Sequence, residues 1–111
     1  MGKLVRDKIP DIIRKDGRIS RVITLTDEDY RTALSLKLQE EVDDLLAADG
    51  SGAVLEEAAD ILEVLSAIFV EHGATLDSII EVARRKRGQR GGFEMRIWLE
   101  SADTTQEPTN R

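Results

Sequence analysis

The sequence has no cysteine, two prolines, one histidine and few aromatic residues among its 111 residues. Without cysteine, a disulfide framework, thiolate catalysis and a thiolate zinc site are all excluded, and a reducing compartment is indicated. No run approaches the roughly 18 apolar residues of a membrane span, and residues 1–7 do not include the apolar stretch of a signal peptide. We therefore expect a cytoplasmic protein with no membrane partner.

An excess of basic residues is also missing, because the formal net charge is -6. A nucleic-acid polymer is therefore not an expected partner, although basic runs near both ends suit a smaller phosphate-bearing molecule. The length predicts one domain, over residues 2–100. Residues 101–111 have almost nothing to bury, so we predict a flexible C-terminal tail.

Apolar residues recur at helical spacing in four segments, which predicts a mainly α-helical bundle. The predicted helices cover residues 7–15, about 27–48, about 53–72 and 75–87, with Gly88 beginning to loosen the last. Thr26 followed by Asp29 has the form of a capping box and predicts the start of the second helix. A glycine-rich stretch, residues 49–52, separates the second helix from the third.

Two short segments favour strands over helix. Residues 22–25 are rich in β-branched side chains, and residues 93–99 alternate apolar and polar side chains. Together they predict a small two-stranded β ribbon. The third helix is apolar over more than half its circumference, which favours burial against two neighbours, and we therefore expect a homodimer or homotetramer.

Acidic residues form the most informative pattern. Glu41 and Asp44 stand three apart on the second helix, and Glu57 and Asp60 repeat that spacing on the third. Residues three apart share a helix face, and both pairs flank their helix's apolar stripe. If the helices pack antiparallel, the pairs converge on one cleft.

Four facing carboxylates repel one another unless a cation lies among them. Carboxylate oxygens favour Mg²⁺, Mn²⁺ or Ca²⁺ over zinc or copper, and Mg²⁺ also bridges phosphate oxygens. Glu41, Asp44, Glu57 and Asp60 are thus the predicted metal ligands. Glu40 lies beside them and is a candidate ligand or general base. A single Glu-x-x-Asp pair usually marks a solvated helix face. Asp43, Glu56 and Glu63 fall on other faces of their helices, and we interpret these three as solvent-exposed charges.

In these motifs the chain resembles the MazG-like all-α nucleoside triphosphate pyrophosphohydrolases, over about residues 3–99. That family carries Glu-Glu-x-x-Glu on one helix and Glu-x-x-Asp on the next, which here read Glu40-Glu41-Val42-Asp43-Asp44 and Glu57-Ala58-Ala59-Asp60. Asp44 replaces the usual Glu and shortens the reach of that carboxylate by one methylene. The resemblance implies Mg²⁺-dependent hydrolysis at the α phosphorus, with Mn²⁺ as a substitute, giving a nucleoside monophosphate and diphosphate. Clearance of unwanted nucleotides is the implied role, and Glu40 or Glu41 is the expected catalytic base.

Both ends of the matched region resemble a short subgroup of the same family. They read Lys3-Leu4-Val5-Arg6-Asp7-Lys8-Ile9-Pro10 and Lys86-Arg87-Gly88-Gln89-Arg90-Gly91-Gly92-Phe93. The predicted substrate-binding residues are Lys3, Arg6, Lys8, Lys86 and Arg90, whose cations would offset polyphosphate charge. For Arg84, Arg85 and Arg87 we favour a simpler role, complementing the negative end of the fourth helix.

Two other functions remain open. Phosphoribosyl-ATP pyrophosphohydrolases use a similar acidic motif, although the end motifs here fit that group less well. A non-catalytic helical interaction module is the third hypothesis, supported by the Asp44 departure and the wide apolar face.

Overall fold

A computed structural model describes residues 2–103. These residues form four α-helices, α1 (Ile9–Lys15), α2 (Asp27–Ala47), α3 (Ser51–Glu71) and α4 (Leu76–Arg90). The prediction of a mainly α-helical protein is therefore confirmed. None of these helices is both long enough and apolar enough to cross a membrane.

Contacts divide the chain into two compact units, Met1–Leu76 and Asp77–Arg111, which we describe separately. The first unit holds α1, α2 and α3, and the second holds nearly all of α4. In the predicted tail, residues 101–103 are exposed and have no regular secondary structure. Residues 104–111 of that tail lie outside the described residues.

The short helix α1 carries Pro10 in its first turn, where the missing N–H costs little. The chain after α1 folds back along it, since the Ser20 hydroxyl donates to the Pro10 carbonyl over 3.2 Å. The Arg18 N–H likewise donates to the Ile13 carbonyl at 3.2 Å. These bonds connect α1 to the irregular segment that leads into α2.

The predicted start of α2 is confirmed by its cap. The Thr26 side-chain oxygen accepts a hydrogen bond from the Asp29 N–H at 3.2 Å, satisfying one donor that the first turn leaves free. Three acids in that turn, Asp27, Glu28 and Asp29, complement the positive end of the helix. Local chemistry alone therefore fixes where this helix begins.

Helices α2 and α3 pack as an antiparallel pair. Arg31 near the start of α2 forms an ion pair with Glu71 at the end of α3, at 3.4 Å. Gly50 caps α3 with a φ of 89°, a backbone conformation that glycine adopts without steric cost, and α3 begins two residues before the predicted start. Leu34 and Val64 are the buried apolar side chains among the described residues. This pair of helices is the scaffold of the acidic residues.

In the second unit, α4 continues three residues past the predicted end and includes Gly88. Arg87 and Arg90 lie in its last turn, where cations interact favourably with the free carbonyl groups. Glycine inside a helix costs about 1 kcal/mol relative to alanine, a cost that does not end this helix.

The prediction of a β ribbon is wrong, because neither segment forms a strand within the described residues 2–103. Residues 22–25 have no regular secondary structure, and Ile23 is 85% exposed. In the second segment, the Arg96 N–H donates to the Phe93 carbonyl, and Arg96 has a φ of 57°. This turn interrupts the alternation on which the prediction depended, since a strand needs continuous extended backbone.

Candidate metal centre

Glu41 is the centre of the acidic cluster and an unusual residue for its position. It lies on the side of α2 that faces α3, and only 6% of its surface is exposed. A buried carboxylate loses hydration and therefore needs cations or hydrogen-bond donors nearby. A burial of this kind indicates a specific role for the side chain.

Two groups of carboxylates meet at Glu41. Carboxylate oxygens of Glu40, Glu41 and Asp44, all from α2, lie within 4.8 Å of one another. Oxygens of Glu41, Glu57 and Asp60, from both helices, satisfy the same limit. The antiparallel pairing thus brings together all four predicted metal ligands and Glu40. Asp44 reaches the cluster despite its shorter side chain.

The pKa of Glu57 is raised in this cluster. Partial burial raises the pKa of Glu57 above its ordinary value, and the negative charges of Asp44, Asp60 and Glu41 raise it further. A hydrogen bond with the Glu41 carboxyl, which protonated Glu57 can donate, acts in the same direction. The cluster therefore carries more negative charge than its surroundings offset.

Two cations partly compensate this charge. The Arg6 Nη2 group donates to Asp60 Oδ1 at 2.7 Å, and the Lys37 Nζ group lies 3.4 Å from an oxygen of Glu40 and of Glu41. Arg6 was predicted from the resemblance as a substrate-binding residue, and it contacts the acidic cluster directly. Lys37 was not predicted. Its signal was available, since it stands three and four residues before two acids of one helix.

The other predicted substrate-binding residues of the first unit lie near the start of the chain. Lys3 lines a shallow cavity of about 270 Å³ whose opposite wall, on α2, includes Lys37 and Glu40. Lys8 is exposed at the N-terminal end of α1. Lys3 is therefore placed beside the acidic cluster, whereas Lys8 has no described contact that assigns it a role.

In the second unit, Lys86 and Arg90 are both exposed on α4. Arg90 lines a cavity of about 630 Å³ with the backbone and side chains of residues 91–97. Arg87, which we interpreted as a simple helix-end charge, forms an ion pair with Glu94 at 3.0 Å across the same cavity. Within this unit the cavity gathers three arginines beside a glycine pair.

The donor set fits a hard divalent cation. Mg²⁺ binds oxygens at about 2.0–2.1 Å, so oxygens on opposite sides of the ion stand about 4 Å apart. Within each of the two groups of three, the carboxylate oxygens lie within 4.8 Å of one another and need only small side-chain movements to close on an ion. Asp43, Glu56 and Glu63, predicted as solvent charges, are exposed. The described residues thus contain acidic groups that can hold a metal ion.

Comparison with known proteins adds little about activity. An uncharacterized protein from Mycolicibacterium smegmatis (strain ATCC 700084 / mc(2)155) is 52% identical over 56 residues, or 50% of this chain. The matched segment spans 57% of that protein's length. No family model matches the chain, and no solved structure matches it. The acidic cluster and its surroundings are therefore the features that bear on function.

Proposed function

We propose that this protein is a Mg²⁺-dependent nucleoside triphosphate pyrophosphohydrolase of the MazG-like type, which converts a triphosphate and water to a monophosphate and diphosphate. One observation carries the proposal: four carboxylates from two antiparallel helices surround the buried Glu41. So much negative charge in one place is costly unless cations offset it. A polyphosphate held through Mg²⁺ is the substrate class that such a cluster suits.

The acidic residues have distinct roles in this proposal. Glu41, Asp44, Glu57 and Asp60 hold the cation, with Glu41 shared between the two groups. When bound, Mg²⁺ supplies charge neutralisation at the phosphates and lowers the pKa of a coordinated water. Glu40 is exposed at the rim of the cluster, where it can accept a proton from an attacking water, and Glu41 is the alternative base.

In this proposal, cationic side chains bind the phosphate groups of the substrate. Lys3 and Arg6 lie beside the acidic cluster within the first unit, and each can contact phosphate oxygens that carry charge in the transition state. The resemblance gives the same role to Lys8, Lys86 and Arg90. Their exposure leaves these three side chains accessible to a ligand.

We also propose that the active form is a homodimer or homotetramer. On α3, Leu55 is 70% exposed, Leu62 46% and Val70 68%, although these apolar side chains lie on one stripe at intervals of seven and eight residues. Among the described residues only Leu34 and Val64 are buried apolar side chains. A second copy of the chain covering this stripe completes the core that one copy lacks.

The deciding experiment is a screen for diphosphate release with normal, deoxy and damaged nucleotides and with phosphoribosyl-ATP, each with and without Mg²⁺. We expect wild-type protein to release diphosphate in the presence of Mg²⁺, and Glu57→Gln to lose at least about a hundredfold in rate because a metal ligand is gone. Glu56→Gln is the matched control, since Glu56 precedes Glu57 on α3 but is exposed outside both carboxylate groups. Its rate should equal the wild-type rate.

Equal rates for Glu57→Gln and wild type would remove the cluster from the reaction. Absence of diphosphate release with every nucleotide, together with absence of heat on Mg²⁺ titration, would instead favour the non-catalytic interaction module. Release from phosphoribosyl-ATP alone would favour the related histidine-pathway activity.

A further inference from the structure

Arg6 lies against a carboxylate that a metal ion would need. Its Nη2 group is 2.7 Å from Asp60 Oδ1, and Asp60 belongs to the carboxylate group that includes Glu41 and Glu57. We propose that Arg6 is an exchangeable counterion, which pairs with Asp60 in the metal-free protein and leaves when a divalent cation binds. This inference rests on the proposed function. The freed guanidinium then becomes available for a phosphate group of the substrate.

The ion pair is strong in geometry but weak in free energy. The Arg6 side chain is 55% exposed and Asp60 43%, so water screens their attraction. Exposed pairs of this kind contribute little to stability, and a divalent cation among several carboxylates outcompetes a single screened guanidinium. Arg6 can therefore leave Asp60 at small cost.

Lys37 provides the contrast within the same cluster. Its side chain is only 22% exposed, and it lies 3.4 Å from both Glu40 and Glu41 on its own helix. A lysine at this spacing stays beside its acids because the helix holds all three side chains on one face. We therefore assign the exchange to Arg6 and a permanent neutralising role to Lys37.

The position of Arg6 in the chain suits exchange. Arg6 precedes α1, in a segment without regular secondary structure, and it reaches Asp60 across 54 residues of sequence. Its backbone carbonyl accepts a hydrogen bond from the Ile9 N–H at 3.0 Å, which anchors the backbone at the start of α1. The side chain can thus swing away while its attachment point stays in place.

The test compares affinities for Mn²⁺ and Mg²⁺ by calorimetry in three full-length proteins: wild type, Arg6→Gln and Arg14→Gln. Because a metal no longer has to displace the guanidinium, Arg6→Gln should bind the cation about three- to fivefold more tightly. Arg14→Gln removes the same charge and also breaks an exposed ion pair, that with Asp11. Its affinity should stay within about 1.5-fold of wild type, since only a screened long-range effect remains.

A second measurement follows Arg6 itself, without substrate or turnover. In the metal-free protein, nuclear magnetic resonance relaxation of the Arg6 Nε–H group should report a restricted side chain. Saturation with diamagnetic Mg²⁺ should make that group more mobile, whereas the Arg14 Nε–H group should not change.

Failure of this inference can be separated from failure of the proposed function. Weaker or unchanged metal binding by Arg6→Gln, with clear binding by wild type, would overturn the exchange and leave the metal centre intact. An Arg6 side chain that stays restricted at saturating Mg²⁺ would do the same. If neither wild type nor Arg6→Gln binds a divalent cation, both the exchange and the proposed metal centre are wrong.

Discussion

At the scale of single residues, the protein places Glu41 in a costly position and surrounds it with partners that reduce the cost only in part. Lys37 neutralises one side of the cluster, and Arg6 neutralises another. Partial burial of Glu57, and next the repulsion by the neighbouring carboxylates, raise its pKa. The pKa of Glu57 therefore depends on the charges of the whole cluster.

The raised pKa of Glu57 predicts a pH-dependent stability. The folded protein holds this proton more tightly than the unfolded chain, so Glu57 favours folding below its ordinary value of 4.5. That contribution is lost as the pH rises through the raised pKa. In a chelator, wild type should therefore lose stability relative to Glu57→Gln as the pH rises from 4.5 through the raised pKa of Glu57. Urea midpoints from far-ultraviolet circular dichroism at each pH measure the difference.

The neighbouring substitution Glu56→Gln tests whether the effect belongs to the cluster. Its urea midpoint relative to wild type should change little over the same pH range, because Glu56 lies outside both carboxylate groups. Adding Mg²⁺ at neutral pH should stabilise wild type, since a ligand that binds only the folded state shifts unfolding. If the urea midpoints of Glu57→Gln and Glu56→Gln change in the same way with pH, the environment of Glu57 does not cause the pH-dependent loss of stability.

Residue spacing predicted some of these partners and missed others. The interval of three between Glu41 and Asp44 was enough to place them on one helix face, and its repeat in α3 predicted the convergence. The pair formed by Arg6 and Asp60 joins positions 54 apart, and no local pattern contains that information. Lys37 was not predicted although its spacing was visible, because a lysine three and four residues before acids on an exposed helix face usually forms only a surface ion pair.

At the scale of elements, α2 depends on its first turn to begin where it does. Thr26→Ala removes the side-chain oxygen that accepts from the Asp29 N–H, so we expect a loss of about 0.5–2 kcal/mol in the free energy of unfolding. Chemical denaturation measures this loss. Thr24 is an exposed residue of the irregular segment before α2, and Thr24→Ala is the control, which should change stability by less than about 0.5 kcal/mol.

Loss of the cap should not affect metal binding, because Glu41 lies about four turns further along α2. An equal loss of stability in Thr26→Ala and Thr24→Ala would show that the cap contributes nothing specific. A loss of cation affinity in Thr26→Ala would show that the first turn and the cluster move together.

The elements also show where sequence patterns mislead. Helix limits were predicted to within a few residues because caps and glycines act locally, as Thr26 and Gly50 do. Residues 93–99 have the alternation of a strand, yet a turn stabilised between Phe93 and Arg96 prevails. Alternation predicts a strand only where another strand offers hydrogen bonds, and a single sequence does not state whether one does.

At the scale of the whole molecule, the apolar stripe of α3 predicts self-association. Leu62→Glu places a charge in the middle of the stripe formed with Leu55 and Val70, and it should convert the oligomer to monomer at micromolar concentration. Sedimentation velocity or light scattering measures the change. Gln39→Glu adds the same charge at an exposed position of α2 and should leave the oligomer unchanged.

A wild-type protein that is monomeric at micromolar concentration would contradict the expected homodimer or homotetramer. Dissociation by both substitutions would point to general charge repulsion, and the stripe on α3 would lose its assigned role.

The glycine-capped connection between α2 and α3 has a consequence for how this centre can change over generations. All five carboxylates fall within residues 40–60, on either side of the turn at Gly50. A segment this short is inherited as one block when genes recombine, whereas the cationic end motifs lie outside it. Under the proposed function, the metal-binding carboxylates can therefore stay the same while the residues that recognise the substrate change.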